Sequence, residues 1–236
     1  MISSIEIIKY GKKEFEIELF QEKRKTFSVS VLPTSKIIVK APENKNKQEI
    51  LNKIQKKAKW ILKQKQFFVD NYKKPQDKKY ISGESFRYLG KQYRLKLINS
   101  DNNNNVKLKN GYLIVEYSTK KIEKLISEWY KIKAKLIFEE ELNKCFQKFC
   151  SFNIDKPSIK IRKLKNRWGS YNKSKNSINM NLETIKANKS CIDYVIIHEL
   201  CHSIYFSHNK AFYDLLESKC HDWKNIKSKL EKISIE

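Results

Sequence analysis

One run of five residues, His198-Glu199-Leu200-Cys201-His202, restricts the fold more than anything else in this 236-residue chain. The chain has four histidines, and all of them (His198, His202, His208 and His221) lie close together near its C-terminal end. Two imidazoles four residues apart face the same way only on a helix. The spacing therefore predicts a helix over roughly 190–206 with a metal ion between His198 and His202. Glu199 follows the first imidazole and points beside such an ion rather than at it. A carboxylate placed there can act as general base toward a water that the metal activates.

A catalytic zinc takes three protein ligands and keeps a fourth position open. His208 is the expected third ligand. A straight helix would carry it away from the His198/His202 face, so the helix must end near Tyr205–Ser207 and the chain must turn back. The spacing fits H-E-x-x-H-x-x-G-x-x-H, but Tyr205 stands where that pattern has its turn glycine, so the metzincin class is not assigned. Glu217 is the carboxylate alternative as third ligand, and His221 reads as a spectator. A closed structural site would have to use Cys191, Cys201 or Cys220. Cys201 lies about 100° round the helix from His202 and cannot easily share its metal. Three imidazoles suit zinc, although other first-row ions accept the same donors.

The first residues, MISSIEIIKYGKKEFE, lack the basic and apolar regions of a secretory signal. No apolar run approaches the ~18 residues that span a bilayer. The chain is expected to be a soluble cytoplasmic protein whose five cysteines are free thiols. Its formal charge of +24 favours polyanionic partners: nucleic acid, nucleotides or an anionic membrane surface. Yet nearly all of that charge is Lys, with Arg only at 24, 87, 94, 162 and 167. Specific phosphate or base recognition would more often enlist Arg, so the excess could also be compositional.

Along the chain, Glu14–Phe20, Thr26–Val31 and Lys36–Lys40 alternate as strands, with Pro33-Thr-Ser as the turn between the last two. Asn46 and Glu49 form a capping-box pattern. Ile50, Ile54, Ala58, Ile61 and Leu62 then recur at helical spacing, with Trp60 expected as a packing residue. Strands resume at Phe86–Leu97 and Val106–Val115. Asp101–Asn105 forms a polar loop, and Asn110-Gly111 a hairpin turn. A long helix is predicted from about Thr119 to Phe149, with Ile122, Ile126, Trp129, Ile132, Leu136 and Leu142 as its apolar stripe. Short strands follow at Ser158–Leu164 and Ser177–Asn181, with a turn at Trp168–Asn172 between them. Helices over 190–206, 209–219 and 223–233 complete the chain. No internal repeat is visible. The expected fold is α+β: a strand-rich region with one helix over 1–118, then a mainly helical catalytic region over 119–236.

Several segments together resemble the YgjP-like metallohydrolases, zincin-type proteins similar to the WLM and SprT-like metallopeptidases. They are Arg167-Trp168-Gly169-Ser170, Ile178-Asn179-Met180-Asn181-Leu182, Ile192 through His202, and His208-Asn209-Lys210-Ala211-Phe212. The likeness extends to Lys40-Ala41-Pro42, Ala58-Lys59-Trp60-Ile61, Ile81-Ser82-Gly83-Glu84 and Tyr88-Leu89-Gly90. Two positions depart from that family: Tyr171 stands where it commonly has Cys, and Tyr213 where it commonly has Trp. The resemblance implies a zincin-like C-terminal half with a zinc ion on His198, His202 and His208, and Glu199 as the catalytic residue.

In zincins a strand beside the active-site helix commonly pairs with an extended substrate. Ser177–Asn181, with Asn179 and Asn181 as substrate-binding residues, is the expected strand. Arg167 is either an oxyanion-stabilising group or part of an aromatic-packed turn. Asp193 is expected to interact with the start of its helix. Three functions follow. The leading one is zinc-dependent hydrolysis of a peptide or protein substrate. The others are metal-dependent hydrolysis of a nucleotide phosphoanhydride, and proteolysis on DNA directed by the basic surface.

Overall fold

In the computed structural model, the strand-like stretches of the N-terminal half pair into two four-stranded sheets of identical connectivity. The structure describes residues 2–32, 34–71, 78–101, 103–119, 121–164 and 167–233. The chain divides into two compact units, Met1–Lys74 and Pro75–Glu236.

The first unit begins with β1 (Ile2–Tyr10), which alternation did not identify, paired antiparallel to β2 (Lys13–Glu22). Next come β3 (Ser28–Val31) and β4 (Ile37–Pro42), and the sheet order is β1-β2-β4-β3 with β2 parallel to β4. Pro33 lies outside the described residues. The β3–β4 loop is closed by hydrogen bonds from the Leu32 N–H to the Lys36 carbonyl and from the Ser35 N–H to the Leu32 carbonyl, with Ser35 in the left-handed region at φ 65°. Helix α1 (Lys47–Asn71) starts at Asn46, whose side chain accepts from the Gln48 N–H. Glu49 pairs with Lys45, so only half of the expected capping box forms. The i, i+4 series Ile50, Ile54, Ala58 turns inward with Ile61 and packs with Phe15, Ile17, Leu19, Ile37 and Val39. Each such buried aliphatic side chain contributes about 1.5–3 kcal/mol. Trp60 does not join them. It is 46% exposed, on a different side of the helix from the apolar stripe.

The second unit repeats the plan. Strands β5 (Ser85–Tyr88), β6 (Lys91–Asn99), β7 (Asn105–Lys109) and β8 (Tyr112–Tyr117) form a sheet in the order β5-β6-β8-β7, with β6 parallel to β8. A long helix, α2 (Ile122–Gln147), follows as α1 followed the first sheet. The turns match too: Tyr10-Gly11-Lys12 joins β1 to β2, and Tyr88-Leu89-Gly90-Lys91 joins β5 to β6. The ββββα repeat is thus present, contrary to the reading of the sequence. Asn110 (φ 49°) and Gly111 (φ 79°) form the expected hairpin turn, since two consecutive positive φ angles match the twist of the strands.

The sheet over 85–117 shares a core with the C-terminal helices. Phe86, Leu95, Leu113 and Val115 pack in the same cluster as Phe138, Ile196 and Leu200. The compact units therefore divide at Lys74–Pro75, not at 118–119 where strand gives way to helix along the chain. In α2 the buried face is Ile126, Tyr130, Ala134, Phe138 and Leu142 with Trp129 and Leu125. Ile132 and Leu136, expected on the packed stripe, are 61% and 60% exposed.

After α2, strands β9 (Ser158–Arg162), β10 (Gly169–Asn172) and β11 (Ser177–Asn181) form a three-stranded sheet in the order β10-β11-β9. The expected turn at 168–172 is mostly β10. A 3-10 turn (Leu182–Lys186) leads to α3 (Lys189–Ile204), then α4 (Lys210–Lys219) and α5 (Trp223–Glu231). All five cysteines are free, as expected. Among the described residues no helix is long and apolar enough to cross a membrane.

Candidate metal centre

Helix α3 is buried on nearly every side. Cys191, Ile192, Tyr194 through Ile197, and Glu199 through Cys201 all lie in the interior. Asn188 caps it by accepting from the Cys191 N–H. On this fixed rod His198 and His202 share a face, with ring centroids 5.0 Å apart. The helix ends at Tyr205, in extended backbone (φ −119°, ψ 117°). Glycine's freedom is not needed for that conformation, which explains a tyrosine at the turn. Asn209 then caps α4 by accepting from the Phe212 N–H, and the reversal brings His208 back over the helix.

His198, His202 and His208 each offer a ring nitrogen within 4.8 Å of the others. The Nε2 atoms of His198 and His208 are 3.1 Å apart. Tetrahedral Zn–N bonds of about 2.05 Å place two nitrogens about 3.3 Å apart, so this spacing fits one shared ion. His202 Nδ1 lies 3.1 Å from the Tyr205 carbonyl oxygen, which holds the proton on Nδ1 and leaves Nε2 free to ligate. Burial, with His202 and His208 nearby, lowers the His198 pKa to about 3. Burial and His202 also lower that of His208. Neutral imidazoles are what a metal requires. Phe212, fully buried on α4, lies beneath all three rings at centroid distances of 5.0, 4.7 and 4.7 Å. Sequence reasoning did not single it out as a site residue. Its place four residues after His208, in the turn that Asn209 caps, was the available signal.

Glu199 is 5% exposed. Burial raises its pKa to about 7, against the Tyr171 backbone N–H and the nearby Arg167 charge, which both favour the carboxylate. A carboxyl poised near neutrality can both take and return a proton. Gly169 on β10 lies directly against it: a Cβ there would fall 2.9 Å from Glu199 Oε1 and 2.9 Å from Val195 Cγ1. The absence of a side chain at 169 is what lets the strand approach the helix. Spacing along the chain did not reveal this contact.

The other candidates fall elsewhere. Glu217 accepts from Trp223 Nε1 at 2.5 Å, and the clustered ligand atoms do not include it. His221 is exposed beside Glu217. Burial raises the Cys201 thiol pKa to about 12, as befits a core thiol. Strand β11 lies in the middle of its sheet, parallel to β9 and antiparallel to β10, so its backbone has no free edge for a substrate. Asn181 is fully buried. Its side chain donates to the Leu164 and Arg167 carbonyls and accepts from the Glu183 N–H. Asn179 donates to the Ser170 hydroxyl. Both side chains are thus engaged in and beside their own sheet, Asn181 fully buried and Asn179 half-buried. Asp193 lies in the second turn of α3 and faces Glu141 on α2, while Asn188 does the capping.

The sequence matches the family described as YgjP-like, metallopeptidase domain, over residues 25–233. Two solved structures are similar to part of it. One is the metallopeptidase zymogen of Pyrococcus abyssi abylysin, 19% identical, with a TM-score of 0.36 over 39% of this chain and 90% of that one. The other is the metallopeptidase zymogen of Methanocaldococcus jannaschii jannalysin, 17% identical, with a TM-score of 0.35 over 40% of this chain and 88% of that one. No curated protein matches.

Proposed function

The chain belongs to the YgjP-like metallopeptidase-domain family, and from that premise we propose that it hydrolyses peptide bonds with a zinc ion held by His198, His202 and His208. The observation that carries the reading is the convergence of three imidazoles beside one buried carboxyl. Zinc at such a site would polarise a carbonyl and lower the pKa of a water toward ~7.

The remaining work falls to the chain itself. Glu199 accepts a proton at its carboxylate and returns it to the departing amine, a task suited to a pKa near 7. Arg167 is exposed and near Glu199, so its guanidinium is available to the negative charge that develops on the substrate oxygen. An extended substrate would add to β10, not β11. Among the described residues no strand pairs with the outer edge of β10. Strand alternation turns the backbone groups of Gly169 and Tyr171 to that side, because Trp168 and Ser170 face β11. The Tyr171 N–H already reaches Glu199, so a bound strand would sit beside the general base.

The test combines metal content with cleavage of an unfolded protein. Wild type and Glu199→Gln should each hold about one zinc per chain, and His202→Ala should lose it. Cleavage should disappear in both variants. Cleavage that survives Glu199→Gln would remove the carboxyl from the mechanism. Phosphate release from a nucleoside triphosphate, dependent on Glu199 and without peptide cleavage, would replace the reading by phosphoanhydride hydrolysis.

A further inference from the structure

The repeat gives each sheet a long helix, and the two helices have different surroundings. α2 packs against both its own sheet and the layer made by α3, β9 and the 3-10 turn. α1 buries its stripe of Ile50, Ile54, Ala58 and Ile61 in the sheet core, and among the described residues of its unit no second layer covers its far side. That far side carries Lys53, Lys56, Lys59 and Lys63, with Lys57 at its border with the stripe, all exposed, around Trp60 at 46% exposure. At 100° per residue, Lys56 and Lys63 lie about 40° and 60° from Trp60 on one side, Lys57 about 60° on the other, and Lys53 nearly in line with it about two turns toward the N-terminus. From residue 50 to residue 69 the sequence contains no acidic residue. Among the described residues none of the five lysines pairs with a carboxylate, whereas Lys45 and Lys47, at the start of the helix, do.

We propose that this face of α1 binds single-stranded nucleic acid, the lysines tracking the phosphates and the Trp60 indole stacking on an unpaired base. The charge settles the sign of the partner. The indole settles its class, since an exposed aromatic among lysines is the combination that holds single strands without reading sequence. A lipid surface fits less well. An interfacial helix must lay an apolar face into the bilayer, and the apolar face of α1 is buried inside its own unit. Duplex DNA is also disfavoured, because its stacked bases present no face to the indole. The lysine stripe accounts for a part of the +24 charge that function can use, and it does so independently of what the metal centre hydrolyses.

The experiment is fluorescence anisotropy of a labelled single-stranded oligothymidine of about 20 nucleotides, long enough for one binding site, titrated with the full chain across a range of salt. Trp60→Ala should weaken binding about 5- to 150-fold and leave the salt slope unchanged. The triple variant Lys56→Glu/Lys59→Glu/Lys63→Glu should flatten the salt slope by about 2, from about 0.7 for each phosphate that is no longer neutralised. Lys131→Glu/Lys135→Glu, a charge reversal on the exposed side of α2, should change affinity far less. Circular dichroism and the melting temperature should be those of wild type in every variant. Equal losses from the α1 and α2 charge reversals would show the charge acting diffusely and overturn the assignment. Unaltered affinity in Trp60→Ala would do the same. A third overturning result is Trp60-dependent sedimentation with phosphatidylserine vesicles in the absence of oligonucleotide binding.

Discussion

Gly169 presses against Glu199 so closely that a methyl group there has no room. Its Cβ would lie 2.9 Å from a carboxylate oxygen and 3.0 Å from the side-chain methylene carrying it. The backbone at 169 is not in the left-handed region, so alanine is tolerable to the main chain itself, and any effect of Gly169→Ala reports on the contact. The same Cβ would lie 2.9 Å from Val195 Cγ1, so the overpacking, which costs about 1–3 kcal/mol, is relieved by moving β10 or by shifting Glu199 and Val195 together. On the proposed reading, the variant should therefore still bind zinc and lose about tenfold or more in kcat/KM, which metal analysis beside peptide-cleavage kinetics would register. Unchanged kinetics would mean that the position of Glu199 is not coupled to β10. The histidines were legible because i, i+4 is a local relation that any helix enforces. The Gly169–Glu199 contact joins residues thirty positions apart and needs the tertiary fold to exist.

At the scale of elements, the α2–α3 interface holds a carboxyl pair, Glu141 buried and Asp193 half-buried. Burial pushes the Glu141 pKa up, but hydrogen bonds from Lys189, Asp193 and Lys144 outweigh it and bring the pKa below the usual range. Lys189 Nζ lies 2.9 Å away and Lys144 Nζ 3.3 Å. Asp193 is driven the other way, to about 6, by burial and then by the charge of Glu141. A folded-state pKa above the unfolded value means that folding takes up a proton. The stability it supports is complete below about pH 4 and is lost as pH rises through about 6. Asp193→Asn removes this half-buried charge. The variant should melt several degrees above wild type at pH 8, from about 1–3 kcal/mol, and level with it near pH 4. Equal melting temperatures at both pH values would show that the pair does not share a proton. The same interface shows where periodicity misled. Ile132 and Leu136 satisfied an apolar stripe, but the packed face follows the stricter i+4 series through Ala134 and admits Glu141 because two lysines neutralise it. Helix boundaries came within a few residues, since Asn188 and Asn209 mark them locally. The central place of β11 was not legible, because sheet order depends on which strands meet in space.

The whole molecule carries one plan twice, with a separate core in each compact unit. Phe15, Ile17, Val39 and Ile54 belong to one cluster, and Phe86, Phe138, Ile196 and Phe212 to the other. The repeat escaped notice because a sheet and helix of this kind require only a pattern of apolar positions and two turns, which many sequences satisfy. Every proposed metal ligand lies in Pro75–Glu236, so a bound ion stabilises that unit and leaves Met1–Lys74 without direct gain. Calorimetry of the full chain should then resolve two transitions. Zinc in hundredfold excess over its dissociation constant should raise one of them by about 2.7 kcal/mol, and a chelator should reverse the shift. His202→Ala should show both transitions and respond to zinc in neither, which separates ligation from non-specific binding to the surface. A single transition that zinc moves as a whole would show instead that the two cores unfold as one cooperative body, and that metal bound to the second supports the first.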